Sequence, residues 1–317
     1  MIVLTSLKLN CFRKVKWLIL LILFSATSLI NAQKKTEFTV LNYNALHGFQ
    51  NDTLLKQQYI NWVKDMQPDV VAYQEMNGFS QNAIGELADS YGHPYAVIMN
   101  QEFGVPVTHP LAITSKYPIL NVERVLDNMW HGYLYAHING IHMIVTHLAP
   151  FTLKDRQEDI RKIMAQIDLF PKKDKILLMG DFNALSPEDS DMYGEELLNA
   201  MKNTEGQYIA KSKSPILRNR TIYRRNLNNG EVDYSVIQTI LASGFKDSFY
   251  LKNIKFKNSV PTKGYTRSNS KLRRIDYIFV EEELAGNVIS ADILQDEMTS
   301  ELSDHYPVLV KFDLSKK

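Results

Sequence analysis

Strand-length and helix-length apolar patterns alternate along this chain, which predicts an α/β layered domain with substantial antiparallel sheet. Three observations carry that prediction. Short hydrophobic runs rich in Val, Ile, Leu and Tyr recur between segments of helical period. Asn139-Gly140, set between Tyr133–Ile138 and Ile141–Thr146, is a strong two-residue hairpin signal, and a hairpin joins antiparallel strands. No internal repeat, low-complexity tract or linker rich in Pro, Gly or Ser divides the chain, so one domain is the economical reading.

The first 32 residues stand apart. Lys8, Arg13, Lys14 and Lys16 precede an apolar run that begins at Leu18 and continues less purely to Ile30. Ile30-Asn31-Ala32 then offers a small-residue cleavage site. An apolar core of about 13 residues falls short of the roughly 20 that a membrane span needs. A signal peptide over 1–32, cleaved near Ala32, is therefore expected, with an uncleaved N-terminal anchor as the alternative. Either way the working domain, 33–317, is expected to be exported to a periplasm, a cell surface or the medium.

Within that domain Phe38–Tyr43 reads as a strand. Asp52 is placed to cap a helix with Leu55, Tyr59, Trp62, Val63 and Met66 on one face, and Pro68-Asp69 ends it. Val70–Tyr73 is a short buried strand, and Ser80 opens a helix with Ile84, Leu87 and Ala88 inward. Leu111–Thr114 and the two hairpin arms follow as strands. The helix from Lys154 to Phe170 turns Ile160, Ile163, Met164 and Ile167 to one side, with Thr152 and Asp155 boxing its start. Lys175–Met179 is a buried strand that runs into Gly180. A polar region extends to about Asn229, a helix covers Tyr234–Ala242, and Ile275–Val280 and Pro307–Phe312 are the last strands.

Charge narrows the function. The full chain of 317 residues has a formal charge of +1. Taking the four basic residues of the leading segment from 36 leaves 32 against 35 acidic, a net −3, which is not the global charge of a general polyanion binder. The single cysteine, Cys11, lies in the leading segment, so the domain can form no internal disulfide. With 45% hydrophobic residues it is large enough to need none.

Chemistry concentrates where strands end. Apolar runs stop at Asn44, at Glu75, at His147, and at Asp181 with Asn183; Asp276 interrupts an apolar strand, and Asp304-His305 precedes the final one. Strand positions i and i+2 share a face, so Asp181 and Asn183 emerge together. Singly, each has an ordinary explanation as a turn former, a solvated strand end, a core histidine or an Asx turn. Asp276 is the exception, because a buried carboxylate needs a partner and His305 is the candidate. Jointly they point to one cleft along a sheet edge. The oxygen-rich set favours Mg²⁺, Mn²⁺ or Ca²⁺ over zinc, and a hard cation beside a His–Asp pair suits attack of water on phosphorus. The sequence contains no G-x-S-x-G, no phosphate-binding G-x-x-x-x-G-K-[ST] and no H-E-x-x-H.

These segments together resemble the endonuclease/exonuclease/phosphatase superfamily, the group that contains pancreatic-type deoxyribonucleases and neutral sphingomyelinases. The matching stretches are Leu41-Asn42-Tyr43-Asn44, Pro68 through Glu75, Thr146-His147-Leu148, Gly180-Asp181-Phe182-Asn183, Arg274-Ile275-Asp276-Tyr277 and Ser303 through Val308, in the family's order. The resemblance implies a four-layer α/β sandwich, two mostly antiparallel sheets packed face to face with helices outside, and Mg²⁺-dependent phosphoester hydrolysis. By position it implies Glu75 as the main metal ligand, Asn44 close by and Asp304 completing the shell. Asp181 and Asn183 would position water and phosphate, His305 with Asp276 would be the acid/base pair, and His147 with Asn183 would bind phosphate oxygens. Relatives similar to the abasic-site repair nucleases carry Asp two residues after the first Asn and Tyr where His147 stands. Leu46 and His147 depart from that pattern, which argues against abasic-site repair.

Two basic runs bear on substrate. One holds Lys211, Lys213, Arg218, Arg220, Arg224 and Arg225; the other holds Lys252, Lys255, Lys257, Lys263, Arg267, Lys271, Arg273 and Arg274, and neither contains an acidic residue. The second leads straight into Asp276, so Arg267, Arg273 and Arg274 are candidate substrate contacts. His137 and His142 face each other across the hairpin and read as a strand pair without a third ligand. Trp130-His131 precedes a strand within reach of the cleft. Phe49, Tyr73, Tyr91 and Tyr95 read as core. The expected protein is an exported, monomeric phosphodiesterase with no obligate protein partner, acting on nucleic acid as an endonuclease. A sphingomyelinase-type phospholipid phosphodiesterase or a small-molecule phosphatase is the alternative, and a non-catalytic binding protein on the same scaffold is a second one.

Overall fold

Strands and helices alternate in the computed structural model, which describes residues 37–99, 107–207, 222–267 and 271–315. The leading segment, and Lys211, Lys213, Arg218 and Arg220 of the first basic run, lie outside the described residues. The strands are β1 (Glu37–Asn44), β2 (Val70–Gln74), β3 (Tyr95–Ile98), β4 (Ala112–Ser115), β5 (Ile119–Val125), β6 (Tyr133–Ile138) and β7 (Ile141–His147). They continue with β8 (Lys175–Asp181), β9 (Leu227–Asn228), β10 (Glu231–Val232), β11 (Lys246–Asp247), β12 (Asp276–Val280), β13 (Val288–Ile293) and β14 (Val308–Asp313). The longer helices are α1 (Thr53–Met66), α2 (Gln81–Ser90), α3 (Leu153–Ile167), α4 (Glu195–Thr204) and α5 (Ser235–Ala242). Among the described residues no helix is long and apolar enough to cross a membrane.

Two six-stranded sheets form, in the orders β13-β14-β1-β2-β4-β3 and β11-β12-β8-β7-β6-β5. Pairing is antiparallel except for β1/β2 and β7/β8. Side-chain alternation shows how the layers meet. Val40, Val70, Ala72, Met143, Val145, Leu177, Met179, Ile278 and Val310 fill one core drawn from both sheets, so the sheets pack face to face. The intervening residues Leu41, Tyr43, Val71 and Tyr73 pack outward against Tyr59 and Val63 of α1 and Ile84 and Leu87 of α2. On the other side Ile144, Leu178, Tyr277 and Phe279 pack outward against Ile160 and Ile163 of α3 and Val236, Ile237 and Ile240 of α5. The result is a four-layer helix–sheet–sheet–helix sandwich.

Local signals explain where elements begin. The Asp52 carboxylate accepts the Leu54 and Leu55 N–H groups, Ser80 Oγ accepts from Ala83, and Thr152 Oγ1 accepts from Asp155. Asn139 and Gly140 both take positive φ, 51° and 79°, and pair Ile138 with Ile141 as a two-residue hairpin requires. The elements that periodicity missed include β3, β5, β11, β13, α4 and the small β9/β10 sheet. β5 is a mostly solvent-facing edge strand with only intermediate or exposed positions, and α4 falls inside the stretch that reads as polar. Tyr95, expected in the core, is 41% exposed on edge strand β3.

Beneath α1 and α2 runs a buried polar relay. Tyr59, Tyr73, Tyr91 and Thr114 are linked hydroxyl to hydroxyl at 2.7, 2.8 and 2.9 Å. The relay ends at His93, whose Nδ1 lies 3.0 Å from Thr114 Oγ1 while Nε2–H donates to the Pro68 carbonyl at 2.8 Å. Burial pushes the His93 imidazole down to about 4. Its folded value thus lies below the unfolded value, and between about 4 and 6.5 the unfolded chain binds more protons. The stabilisation is complete above that window and is lost as pH falls through it. Urea unfolding should show His93→Gln losing less stability than the wild type between pH 7 and 4.5, by up to ~3 kcal/mol.

Candidate active site

The register of the second sheet sets three reactive residues in one row. His147 at the end of β7 pairs with Asp181 at the end of β8, and Asp181 pairs with Asp276 at the start of β12. Each continues the inner-face parity of its strand: Val145 to His147, Met179 to Asp181, Ile278 to Asp276. Asn44 does the same in the first sheet, two residues beyond Asn42 and four beyond Val40. The inter-sheet space is therefore apolar along its length and polar at this end. Between the two zones, Gln74 Nε2 donates to Asn42 Oδ1 at 2.8 Å.

Asp181 is the hub. Its Oδ2 accepts from Asn44 Nδ2 at 3.1 Å, meets His147 Nε2 at 3.3 Å and lies 3.8 Å from His305 Nε2. Its Oδ1 accepts the Asn183 N–H at 2.9 Å. His305 Nδ1 in turn bonds Asp276 Oδ2 at 2.8 Å, as expected for a buried carboxylate in need of a partner. Asp304 is half-buried, with Oδ1 3.9 Å from His305 Nε2. Glu75 stands one residue past β2 at φ 60° and accepts from Asn44 Nδ2 at 3.3 Å. Asn183, at φ 48°, is fixed by its Nδ2–H to the Leu148 carbonyl. Asn44 thus meets both carboxylates as a donor, while its Oδ1 accepts from Leu46 N–H at 3.1 Å. Through Nδ2, Asn44 bridges the Glu75 and Asp181 carboxylates.

Electrostatics divide these groups sharply. Burial pushes Asp181 upward, and the nearby Asp276 carboxylate adds to the shift. Burial opposes charge on His305, yet Asp276, Asp304 and Asp181 outweigh it and hold the imidazole well above its ordinary value. Burial likewise acts against ionised Glu75, but the facing His109, His305 and His47 and the His47 N–H keep it below the usual carboxylate range. His147 is driven well down by burial and neighbouring imidazoles, so it stays neutral. Glu75, Asp181 and Asp304 crowd hard oxygens around a protonated His305, and Asp276 Oδ1 is buried with no hydrogen-bond partner among the described residues. Such a donor set fits a hard divalent cation, and the buried trio Asp181, Asp276 and His305 has its ligand-capable atoms within 4.8 Å of one another.

Three further histidines border the site. His47 and His109 carry rings 5.1 Å apart, His109 and His131 4.9 Å, and His131 and His147 4.4 Å. Of Trp130-His131, it is His131 that stands beside His147, held by Nδ1–H to the Thr108 carbonyl at 3.1 Å, while Trp130 Nε1–H donates to Asp155. His47 and His109 gave no sequence signal, because each sits outside any apolar period, His47 in the four-residue helical turn Leu46–Phe49 and His109 in a loop.

The candidate substrate arginines separate. Arg274 is 1% exposed, with Nε 2.9 Å from Asp189 Oδ2, Nη1 bonded to Asp247, and its guanidinium over the Tyr277, Tyr250 and Phe249 rings. It does not fit a substrate contact; the correction is that two buried carboxylates consume it. Arg273, one residue earlier, faces the other way and borders a cavity of about 210 Å³ together with Asn183, Arg225, Asn226 and Lys271. Arg267 is exposed on the same basic run.

Fold and site together are those of a phosphoesterase. The chain belongs to the Endonuclease/Exonuclease/phosphatase family, which it matches over residues 41–305. It is similar in structure to an AP endonuclease from Archaeoglobus fulgidus, with TM-score 0.60 and 16% identity, covering 87% of this chain and 99% of that one. It is also similar to a 3′ phosphatase from Neisseria bound to a product DNA hairpin, with TM-score 0.57, 19% identity and coverage of 87% and 99%. A family protein from Leptotrichia buccalis gives 0.56, 16%, 87% and 99%. No curated protein matches the sequence. At these identities the structural likeness establishes the fold.

Arg274→Ala leaves Asp189 and Asp247 buried and uncompensated, so it should cost about 3–5 kcal/mol in denaturant unfolding. Arg273→Ala should cost far less in the same assay, since no buried ion pair among the described residues depends on it.

Proposed function

We propose that this chain is an exported, divalent-metal-dependent phosphodiesterase that hydrolyses nucleic acid. The observation that carries the reading is the convergence of Asn44, His147, Asn183 and His305 on the Asp181 carboxylate, with Asp276 behind His305. Glu75 and Asp304 would hold the cation, Mg²⁺ foremost, with Mn²⁺ or Ca²⁺ in its place. Such an ion, when bound, neutralises charge developing on the phosphate.

The chain's own residues supply the proton chemistry. Asp276 accepts the His305 Nδ1–H and so fixes the ring orientation, leaving Nε2–H as the working proton. Ionised Asp181, made a stronger base by its burial, and Asn183 orient a water against phosphorus. The proton that water loses passes to Asp181, and protonated His305 gives one to the departing oxygen, so the water O–P bond forms as the ester O–P bond breaks. Neutral His147 donates to a non-bridging oxygen. Arg273, Arg225 and Lys271 beside Asn183 suit the next phosphate along a chain, which favours nucleic acid over a lone phosphoester. Export rests on the composition of residues 1–32 and is checked by N-terminal sequencing of the protein recovered outside the cytoplasm.

The deciding assay is a substrate panel of duplex DNA, single-stranded DNA, RNA, sphingomyelin and bis-p-nitrophenyl phosphate with each cation. EDTA should abolish hydrolysis, and Mg²⁺ or Mn²⁺ should restore it. His305→Gln should lower kcat by roughly 10²–10⁴ while its thermal melt stays cooperative; undiminished turnover would sink the mechanism. Arg273→Ala should weaken nucleic-acid binding and reduce the slope of log affinity against log salt by about 1. Cleavage of the small ester with every polymer left intact would instead identify a small-phosphoester enzyme.

A further inference from the structure

Glu75 faces two ways. Oε1 meets Asn44, whereas Oε2 accepts the His47 N–H at 3.0 Å and lies 3.2 Å from His47 Nδ1. His109 closes the group, because one ligand-capable atom from each of His47, Glu75 and His109 lies within 4.8 Å of the other two. His109 Nδ1 is buried and has no hydrogen-bond partner among the described residues. A buried ring nitrogen without a partner is rare in a folded protein, and an ion is one of the groups that can satisfy it. The His47 side chain is 56% exposed, which gives an ion a path in from solvent.

Two imidazoles and one carboxylate form a softer donor set than the oxygens of Asp181 and Asp304. They match borderline transition ions, and two His with one Glu is a donor set of open zinc sites. The other facing pair, His137 and His142, lacks that capacity. His142 Nδ1 is bonded to the Tyr135 hydroxyl at 2.8 Å and Nε2 to Asp174 at 2.9 Å, so both of its nitrogens are engaged.

We propose that His47, Glu75 and His109 form a transition-metal site, for Zn²⁺ or an ion of the same character, that shares Glu75 with the hard-cation side of the cleft. The purpose of the ion, a second positive charge beside the phosphate, rests on the phosphodiesterase reading; the site itself does not. Its occupancy makes Glu75 a hinge between two kinds of metal chemistry, and it predicts stoichiometric zinc that Mg²⁺ does not displace.

The test uses the full chain stripped with EDTA and titrated with Co²⁺ in saturating Mg²⁺, following the visible absorption of imidazole-bound Co²⁺, with Zn²⁺ affinity from competition against a chromophoric chelator. The wild type should bind one Co²⁺, and His47→Ala and His109→Ala should each weaken Co²⁺ and Zn²⁺ by tenfold or more, while His142→Ala binds as the wild type does. His47 is exposed, so its variant keeps the fold. The absence of a Co²⁺ band in the wild type, or a band that survives both substitutions, overturns the proposal. Zinc uptake through His47 and His109 by a chain that cleaves no phosphoester would keep this site and remove the functional reading. Mg²⁺-dependent cleavage without imidazole-bound Co²⁺ would do the reverse.

Discussion

A carboxylate at the far end of a buried strand must be met by donors or by positive charge, and Asp181 is that carboxylate here. It is 2% exposed and points into the space between two sheets. Its partners arrive from both: His147 from the strand beside it, Asn44 from the facing sheet, His305 from the turn before β14. Close approach of β7 and β8 makes the row possible. Gly180 sits at φ 150°, and a Cβ there would fall 1.9 Å from the Thr146 carbonyl oxygen, so the residue before Asp181 has to be glycine. The site is thus a consequence of how tightly two parallel strands pack, as much as of the residues that line it.

From that constraint the charge distribution follows. The apolar sandwich raises the cost of every ion at its end, yet the groups do not all respond alike. Glu75 stays ionised because three imidazoles face it, and His305 stays protonated because three carboxylates surround it. His147, buried among imidazoles, has no such carboxylate majority and remains neutral. One small volume therefore holds a fixed anion, a fixed cation and a neutral donor. That combination suits a reaction in which negative charge builds on phosphorus oxygens while a proton is exchanged.

The adjacent arginines show why charge alone misleads. Arg273 and Arg274 are indistinguishable as members of a basic run. They part to different surroundings just before β12, one beside the cavity that Asn183 also lines and one in a cage of Asp189, Asp247 and aromatic rings. Asp189 and Asp247 lie in a 3₁₀ turn and in a two-residue strand that periodicity does not register. Nothing local therefore announces that Arg274 is spoken for.

By itself the sequence determined the periods, the caps at Asp52, Ser80 and Thr152, the Asn139-Gly140 hairpin and the polar ends of the strands. These depend on neighbours within a few residues, so they survive being read in one dimension. The pairing of Asp276 with His305 was also legible, since a carboxylate in an apolar strand needs a proton donor. The strand register, the amide orientation of Asn44, the burial of Arg274 and the gathering of His47 and His109 around Glu75 were decided only in the tertiary structure. Each depends on contacts between segments far apart in the chain, and histidines outside an apolar period carry nothing that could reveal them. The stretch ending in Gly180-Asp181-Phe182-Asn183 announced that something positive would be needed there; packing decided what would come.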